Sequence, residues 1–326
     1  MAGLVAAARL RELGAEPVVY EKGSRGGGSM LLSSGFIWRY RSPELFHEQC
    51  PGGDLALQRL ILDRFDDALD WLEAQGVELP TRETGNPLTV GARFDPRQAV
   101  AVLAHDVRLG ETTDDPTILA TGGFPVRLAR ERGLLLRANQ WSEGDGLDLV
   151  LARGGAVAGD LEEFYGRAMP AVDSVAEEDF VRLSQLYGRY ATVAAHDMSQ
   201  RFEGEPNWSE TDLAQAIARW PEGLAWYSVD RTLLDVKVRD RTVGEMIDAA
   251  RKAGAPVEED DGRIAVLVRP GVTQTLGGIA VDTDARAADG LYAAGADVGG
   301  ISTGGWSSGL ATALVLGLVA AESAVS

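Results

Sequence analysis

Apolar side chains fall at Leu4, Val5, Ala8, Leu10 and Leu13, and Gly14 follows. That is helical spacing with a glycine stop, and it predicts an amphipathic helix over residues 2–13. The pattern then changes to a short apolar run, Pro17-Val18-Val19-Tyr20, closed by Glu21 and Lys22, which reads as a buried strand ending in a carboxylate. A longer helical stripe (Leu57, Leu60, Ile61, Phe65, Ala68, Leu69, Leu72) stopped by Gly76 predicts a helix over 55–76. Two further apolar runs, 116–124 and 290–297, read as buried strands ending in Thr121-Gly122-Gly123 and in Gly295-Ala296-Asp297. Helical stretches are expected near 176–190, 209–219 and 241–253, and His47 is expected in a helix. The apolar stretch Leu310 to Ala321, broken only by Gly317, is too short to span a bilayer and predicts a buried helix.

Length and composition narrow the class. A chain of 326 residues is long enough for two domains at roughly 100–200 residues each. With 45% hydrophobic and 25% charged residues it has the apolar material of a folded globular protein. The net charge of −18 argues against nucleic acid, because a phosphate backbone needs a basic footprint. No basic stripe suggests a membrane surface. The single cysteine, Cys50, rules out an internal disulfide or a CxxC redox pair. His47, His105 and His196 lack metal-ligand spacing, so no metal site is expected. Met1 to Val5 shows no basic segment leading into an apolar run, and a cytoplasmic location is expected.

The helix, the Gly14 turn and the strand ending at Glu21 match the second part of a βαβ dinucleotide unit. In that unit glycines let the backbone approach a pyrophosphate, and the helix N-terminus supplies N–H donors. An acid about 20 positions on takes the ribose hydroxyls. Gly3 stands where the third glycine of GxGxxG belongs, and Glu21 stands at the acid's distance. The first strand and first two glycines of the unit are expected to lie outside this sequence. By itself the segment reads equally as an ordinary helix and strand. The loop Gly23-Ser24-Arg25-Gly26-Gly27-Gly28-Ser29 and then Ser33-Ser34-Gly35 follow directly. Such small residues can cradle a phosphate or a flavin edge, or form a plain surface loop. Gly304-Gly305-Trp306-Ser307-Ser308-Gly309 opens the last helix and can present N–H groups in the same way.

Taken in order, the pieces AGLVAAARLRELGAEPVVYEK, GGGSMLLSSG, ILATGGF, NQWSEGDGLDL, QRFEGE, TLGGIAVDTDAR and GLYAAGADVGG resemble the FAD-dependent fumarate reductase/succinate dehydrogenase flavoprotein family, which includes ketosteroid dehydrogenases. The resemblance implies an α/β fold: a glutathione-reductase-like Rossmann domain for FAD, with an α+β capping domain inserted and the active site at their junction. It implies a first FAD segment over 1–158, a cap over 159–268 and a second FAD segment over 269–326. By position, Gly3, Glu21 and Lys22 serve the adenosine half. Gly27, Gly28, Ser29, Ser34 and Gly35 lie near pyrophosphate and flavin. Thr121 and Gly122 pack under the cofactor, with Asp145, Gly278 and Gly295 completing its surroundings. Asp297 takes the place of the acid near the ribityl chain, and Ser308, Gly309 and Leu310 face the pyrimidine end.

The chain also departs from the family. Eight residues past Arg201 of Arg201-Phe202-Glu203-Gly204-Glu205, where fumarate reductases carry the proton-donating arginine, stands Ser209. Thr273 and Gln274 stand where dicarboxylate enzymes have histidines, and the arginine of the last glycine-rich turn gives way near Trp306. Carboxylate clamps need cationic donors, arginine above all. Their loss at three positions places the chain nearer the ketosteroid dehydrogenase branch and predicts an apolar small-molecule substrate, ketosteroid-like or a cyclic ketone. Phe36-Ile37-Trp38 replaces the histidine of covalent members, so noncovalent FAD is expected. The best candidates for an acid–base pair are Tyr165 with Arg167, which read more readily as a packed tyrosine and a surface arginine at the domain edge. Trp208, Trp220, Trp226 and Tyr227 either line an apolar pocket or fill the core. The expected reaction moves hydride between a substrate carbon and flavin N5, at a C=C bond next to a carbonyl. The electron acceptor is open. The competing reading is a truncated or silent member that does not retain FAD.

Overall fold

The computed structural model describes residues 1–326. They form two compact units. One comprises Met1–Val126, Asn139–Glu163 and Gln274–Ser326, the other Arg127–Ala138 and Phe164–Thr273.

In the first unit the expected helix and strand are Ala2–Glu12 and Val19–Glu21, but the strand is not buried as expected: Val18 and Tyr20 are exposed. The last helix, Gly309–Ala324, is buried from Ala311 to Ala321, as a helix that is apolar all round must be. It packs along the first helix, and Gly317 faces Ala2 and Val5 at close range. A methyl group there would lie 2.9 Å from the Ala2 carbonyl oxygen and 3.1 Å from Val5. Arg9 and Arg64 both pair with Glu322 near its end, at 3.0 and 2.8 Å. The long helix Leu55–Ala74 starts where the Asp54 carboxylate accepts from the Ala56 and Leu57 amides, both at 2.9 Å. It buries Leu57, Ile61, Phe65, Ala68, Leu69 and Leu72 on one stripe. No helix is long and apolar enough to cross a membrane.

The strands of this unit are short and lie in separate small sheets. Val19–Glu21 runs parallel to Val107–Leu109, with Glu21 opposite Leu109. Leu291–Ala293 runs parallel to Ile118–Leu119 and antiparallel to Arg286–Ala288. Parallel strands alternating with helices make the unit α/β. Both strands expected to end in glycine-rich turns are therefore paired with each other, which brings Thr121 and Asp297 to one end of the same pair.

The second unit is built on the strand Arg263–Thr275. In its sheet the order is Val257–Glu259, Arg263–Thr275, Ala225–Asp230, Thr192–Ala195, and Leu135–Leu136 and Phe164–Pro170 also pair with the long strand. Ala225, Tyr227 and Val229 alternate onto the buried face of their strand. Leu213 and Ile217 of the helix Thr211–Arg219, and Met246, Ile247 and Ala250 of Val243–Lys252, share their core. A mostly antiparallel sheet with helices packed on it is α+β. Tyr227 and Trp220 belong to that core, while Trp208 is 44% exposed, so these aromatics do not line one apolar surface. The helix expected over 176–190 shrinks to Phe180–Leu183 between two 3-10 turns. Its continuation is lost because Ser184 turns extended and the Gln185 amide donates to the Ala168 carbonyl at 2.9 Å, a sheet-like bond that helix would forbid.

Candidate functional site

Asp297 organises the first unit's candidate site. It is 2% exposed and follows the strand Leu291–Ala293. Its Oδ1 accepts from the Thr121 hydroxyl at 2.6 Å and the Gly123 amide at 3.0 Å. Its Oδ2 accepts from the Gly122 amide at 3.2 Å and from the Thr121 amide. Two oxygens thus take four donors, the full capacity of a carboxylate. Burial pushes the carboxyl above its ordinary value, against these hydrogen bonds. What the carboxylate does here is fix the Thr-Gly-Gly turn. That turn needs glycine: Gly122 has φ +93°, and Gly123, at φ +72°, has no room for a methyl group beside Thr275 Oγ1.

Some of the other expected residues lie against that turn, and the rest are held elsewhere in the unit. Gly146 on the helix Asp145–Ala152 approaches Thr121 and Asp297, with space for no side chain. Gly278 lies against the Asp297 backbone, and Gly295 against Ala2 beside Gly3. A methyl group on Gly3 would itself meet Ala120 Cβ at 3.3 Å. Glu21 Oε1 accepts from the Gly23 amide at 2.7 Å and holds the start of the glycine-rich loop. Lys22 is ion-paired to Glu143 at 2.6 Å and to Asp145 at 2.9 Å. Gly27 and Gly28 both have positive φ and lead into a 3-10 turn, where Ser29 Oγ accepts from the Asn139 amide at 3.0 Å. Ser34 is exposed, and Gly35 packs on the Phe94 carbonyl. Ser308 caps the last helix, accepting from the Ala311 amide at 3.3 Å and from the Trp38 amide at 3.4 Å. Gly309 and Leu310 then form a helix N-terminus, with its N–H donors and partial positive charge.

Three residues outside the sequence assignment complete this picture. Asn139 donates to Ser142 Oγ at 3.4 Å, and Ser142 donates to the Thr121 carbonyl at 3.1 Å. Trp141 packs against Gly23. All three sit in the NQWSEGDG segment, where the sequence singled out only Asp145. The buried oxygens Asn139 Oδ1, Thr275 Oγ1 and Thr303 Oγ1 have no hydrogen-bond partner in the protein. The Thr275 and Thr303 hydroxyls can donate to a cofactor oxygen and Asn139 Oδ1 can accept from a cofactor hydroxyl or N–H, so this polar set beside left-handed glycine turns fits a polar cofactor such as FAD.

The second unit holds Tyr165 and Arg167 on the strand Phe164–Pro170. The Arg167 guanidinium stacks on the Tyr165 ring, Cζ 5.1 Å from its centroid, and donates to the Ser209 carbonyl. Burial alone would raise the Tyr165 phenol. The charges of Arg167, Arg137 and Arg239 outweigh it and hold the phenol below its ordinary value of 10.0. Arg137 donates to Thr273 Oγ1 at 2.8 Å and is itself pushed down to about 10, mainly by burial. Glu210 is 7% exposed, and burial raises its carboxyl to about 7 against the pull of Arg167 and Arg239. Arg137, Arg239 and Glu210 carry no signal in the sequence, since each comes from a different segment.

No curated protein sequence matches the chain. Among solved structures it is similar to the open conformation of a flavocytochrome c3 fumarate reductase: TM-score 0.69 at 20% identity, over 99% of this chain and 76% of that one. It is equally similar to 3-ketosteroid-delta4-(5alpha)-dehydrogenase from Rhodococcus jostii RHA1 in complex with 4-androstene-3,17-dione: TM-score 0.69 at 15% identity, over 100% and 95%. For 3-ketosteroid delta1-dehydrogenase from Sterolibacterium denitrificans the values are 0.68, 13%, 98% and 97%. At these identities the likeness concerns the fold. The sequence model of the FAD binding domain matches residues 1–105 and 95–310, nearly the whole chain, and the chain therefore belongs to that family of FAD-dependent oxidoreductases.

Proposed function

We propose that this protein oxidises or reduces a carbon–carbon bond next to a carbonyl, with Tyr165 moving the proton. FAD, held noncovalently, would supply hydride acceptance or donation at flavin N5. The observation that carries the reading is Tyr165 itself, a phenol with a guanidinium stacked on its face and its ionisation favoured by three arginines. A phenol so poised can give or take a proton near neutral pH more readily than a free one. Arg167 positions the ring and stabilises its anion. A ketosteroid-like or cyclic ketone skeleton is supported by the missing family cations, the arginines at Ser209 and near Trp306 and the histidines at Thr273 and Gln274, and by the ketosteroid dehydrogenases among the similar folds. In the first unit, Gly3, Glu21, the Gly27–Ser29 turn, Thr121–Gly123, Asn139, Thr275 and the helix start at Gly309 would hold the cofactor.

The test is an absorption spectrum of the purified protein before and after acid precipitation, then anaerobic mixing with cyclic enones and saturated cyclic ketones. Yellow colour released to the supernatant, and bleaching by a ketone or recolouring by an enone, is the expected result. Colourless protein even after FAD addition would mean a silent member and end this reading. Flavin that stays with the pellet would overturn noncovalent attachment.

A further inference from the structure

We infer that Tyr187, Tyr227 and Glu210 enclose a binding site for one water molecule inside the core of the second unit, and that this water is a structural part of the turn that receives Arg167. The inference is independent of the flavin chemistry proposed above and stands on the second unit alone.

Three polar groups meet here in an otherwise apolar core. Tyr187 and Tyr227 are both fully buried and share their surroundings with Val193, Leu213, Ile217 and Val266. Their rings touch edge to face, with centroids 5.6 Å apart and planes at 83°. Glu210 joins them at Gly188, the chain neighbour of Tyr187. A methyl group on Gly188 would lie 3.3 Å from Glu210 Oε2 and would overlap Leu213 Cδ2, so the buried carboxyl reaches this place across a residue with no side chain. The Tyr187 hydroxyl, the Tyr227 hydroxyl and Glu210 Oε2 all lack a hydrogen-bond partner in the protein. The charge of Glu210 acts on both phenols, and Tyr187 acts on Tyr227, in keeping with the packing.

A buried hydroxyl or carboxyl without a partner bears its whole desolvation cost, so three of them side by side call for a shared partner. No two of the three bond directly to each other. Their partner must be small, and it must both donate and accept, because phenols and a carboxylic acid do both. It must also be neutral. Burial holds the Glu210 carboxyl toward its uncharged form, and Arg167 and Arg239 already supply positive charge, which disfavours a cation. Water meets all three conditions, and a buried water commonly bonds about three groups that are otherwise unpaired. The site lies behind a strained turn. Glu210 has φ +53°, an unfavourable region for a residue with a Cβ. On one side of it the Ser209 carbonyl accepts from Arg167, while the Ser209 hydroxyl bonds to Asn207 Oδ1 at 2.9 Å and to Thr211 Oγ1 at 2.8 Å. On the other side the helix Thr211–Arg219 begins. Those bonds fix the backbone around Glu210, and the water fixes its side chain.

The test is magnetic relaxation dispersion of the solvent oxygen nucleus in labelled water, which counts the water molecules that a protein holds for longer than it takes to tumble. It is run on the full chain as purified and on the double variant Tyr187→Phe/Tyr227→Phe, which keeps both rings and removes both hydroxyls. The double variant is expected to hold one long-lived water fewer than the parent. Glu210→Gln, which still offers the water a polar partner of the same shape, should keep the parent count. Should the double variant fail to fold, Glu210→Leu gives the same readout, with one water lost. Each single phenylalanine variant should also melt below the parent, because the water and the remaining groups lose a partner. A Tm above the parent in either one would mean that the hydroxyl is truly unpaired, since its removal then relieves a cost, and would overturn the inference. An unchanged water count in the double variant would overturn it as well. So would a parent Tm raised by potassium or ammonium chloride over choline chloride at equal ionic strength, with no such rise in the double variant, because the guest would then be a cation.

Discussion

Asp297 and Thr121 meet across 176 residues of chain, with the Thr121 hydroxyl 2.6 Å from Oδ1 and its amide bonded to Oδ2. Because the same carboxylate also takes the Gly122 and Gly123 amides, one side chain fixes the whole turn. Asp297→Asn keeps the shape and places an amide NH2 against two backbone donors. The variant should lose roughly 2–3 kcal/mol of stability, the cost of buried donors left unmatched. Flavin content should fall with it, because Thr121–Gly123 is part of the proposed cradle. Urea unfolding and the ratio of flavin to protein absorbance would check both. An Asn variant with parent stability and flavin content would show that the turn does not depend on the charge.

Close backbone packing behind that turn gives a second expectation. A methyl group on Gly299 would overlap the Gly278 amide nitrogen and the Ala158 carbonyl, both backbone atoms that cannot swing away. A methyl group on Gly26, half-buried in the glycine-rich loop, would have nothing within 4 Å. Gly299→Ala should therefore cost more than about 3 kcal/mol or prevent folding, and Gly26→Ala should stay within about 0.5 kcal/mol of the parent. Thermal unfolding of the pair decides it, and similar losses in both would refute the packing argument.

What the sequence disclosed was local. The helices over 2–13 and 55–76 announced themselves by period and a glycine stop, and the C-terminal helix and the two glycine-ended strands by apolar runs. Thr121, Gly122 and Asp297 were each visible as strand ends, but their mutual bonding depends on Ile118–Leu119 pairing with Leu291–Ala293, which no local pattern encodes. The helix expected over 176–190 failed for the same reason, since the Gln185–Ala168 bond is a tertiary competitor for the backbone. Tyr165 and Arg167 were visible as neighbours in sequence, but Arg137 and Arg239, whose charges also act on Tyr165, were not, because they come from distant segments.

Glu210 makes stability depend on pH. Burial raises its folded carboxyl to about 7, against an ordinary value of 4.5, with Arg167 and Arg239 opposing. The core hydroxyls of Tyr187 and Tyr227, both influenced by its charge, lack hydrogen-bond partners, as does its own Oε2. Between those two values the folded state keeps a proton that the unfolded state has released. Its contribution therefore falls as pH rises from about 4.5 to 7, by on the order of 3 kcal/mol. Glu210→Gln, uncharged throughout, should lack this slope and should gain on the parent above pH 7. Tm against pH for the two proteins tests the sign; parallel curves would show that Glu210 does not hold the proton.

Tyr165 offers the sharpest check on mechanism. Burial favours its neutral form, yet the charges of Arg167, Arg137 and Arg239 bring the phenol below 10.0, so a growing fraction is ionised as pH rises through that lowered value. If the phenolate takes the substrate proton, turnover in the oxidising direction rises over the same window. Tyr165→Phe preserves the ring under Arg167 and removes only the hydroxyl. It should keep its flavin and lose roughly 10²–10⁴-fold in kcat, the usual worth of a positioned acid or base. Arg167→Gln removes the strongest of the opposing charges, so the rising limb should move to higher pH. An arginine that merely braced the strand would lower the rate equally at all pH. The phenylalanine variant turning over within about twofold of the parent would exclude Tyr165 as the proton carrier, whatever the flavin content.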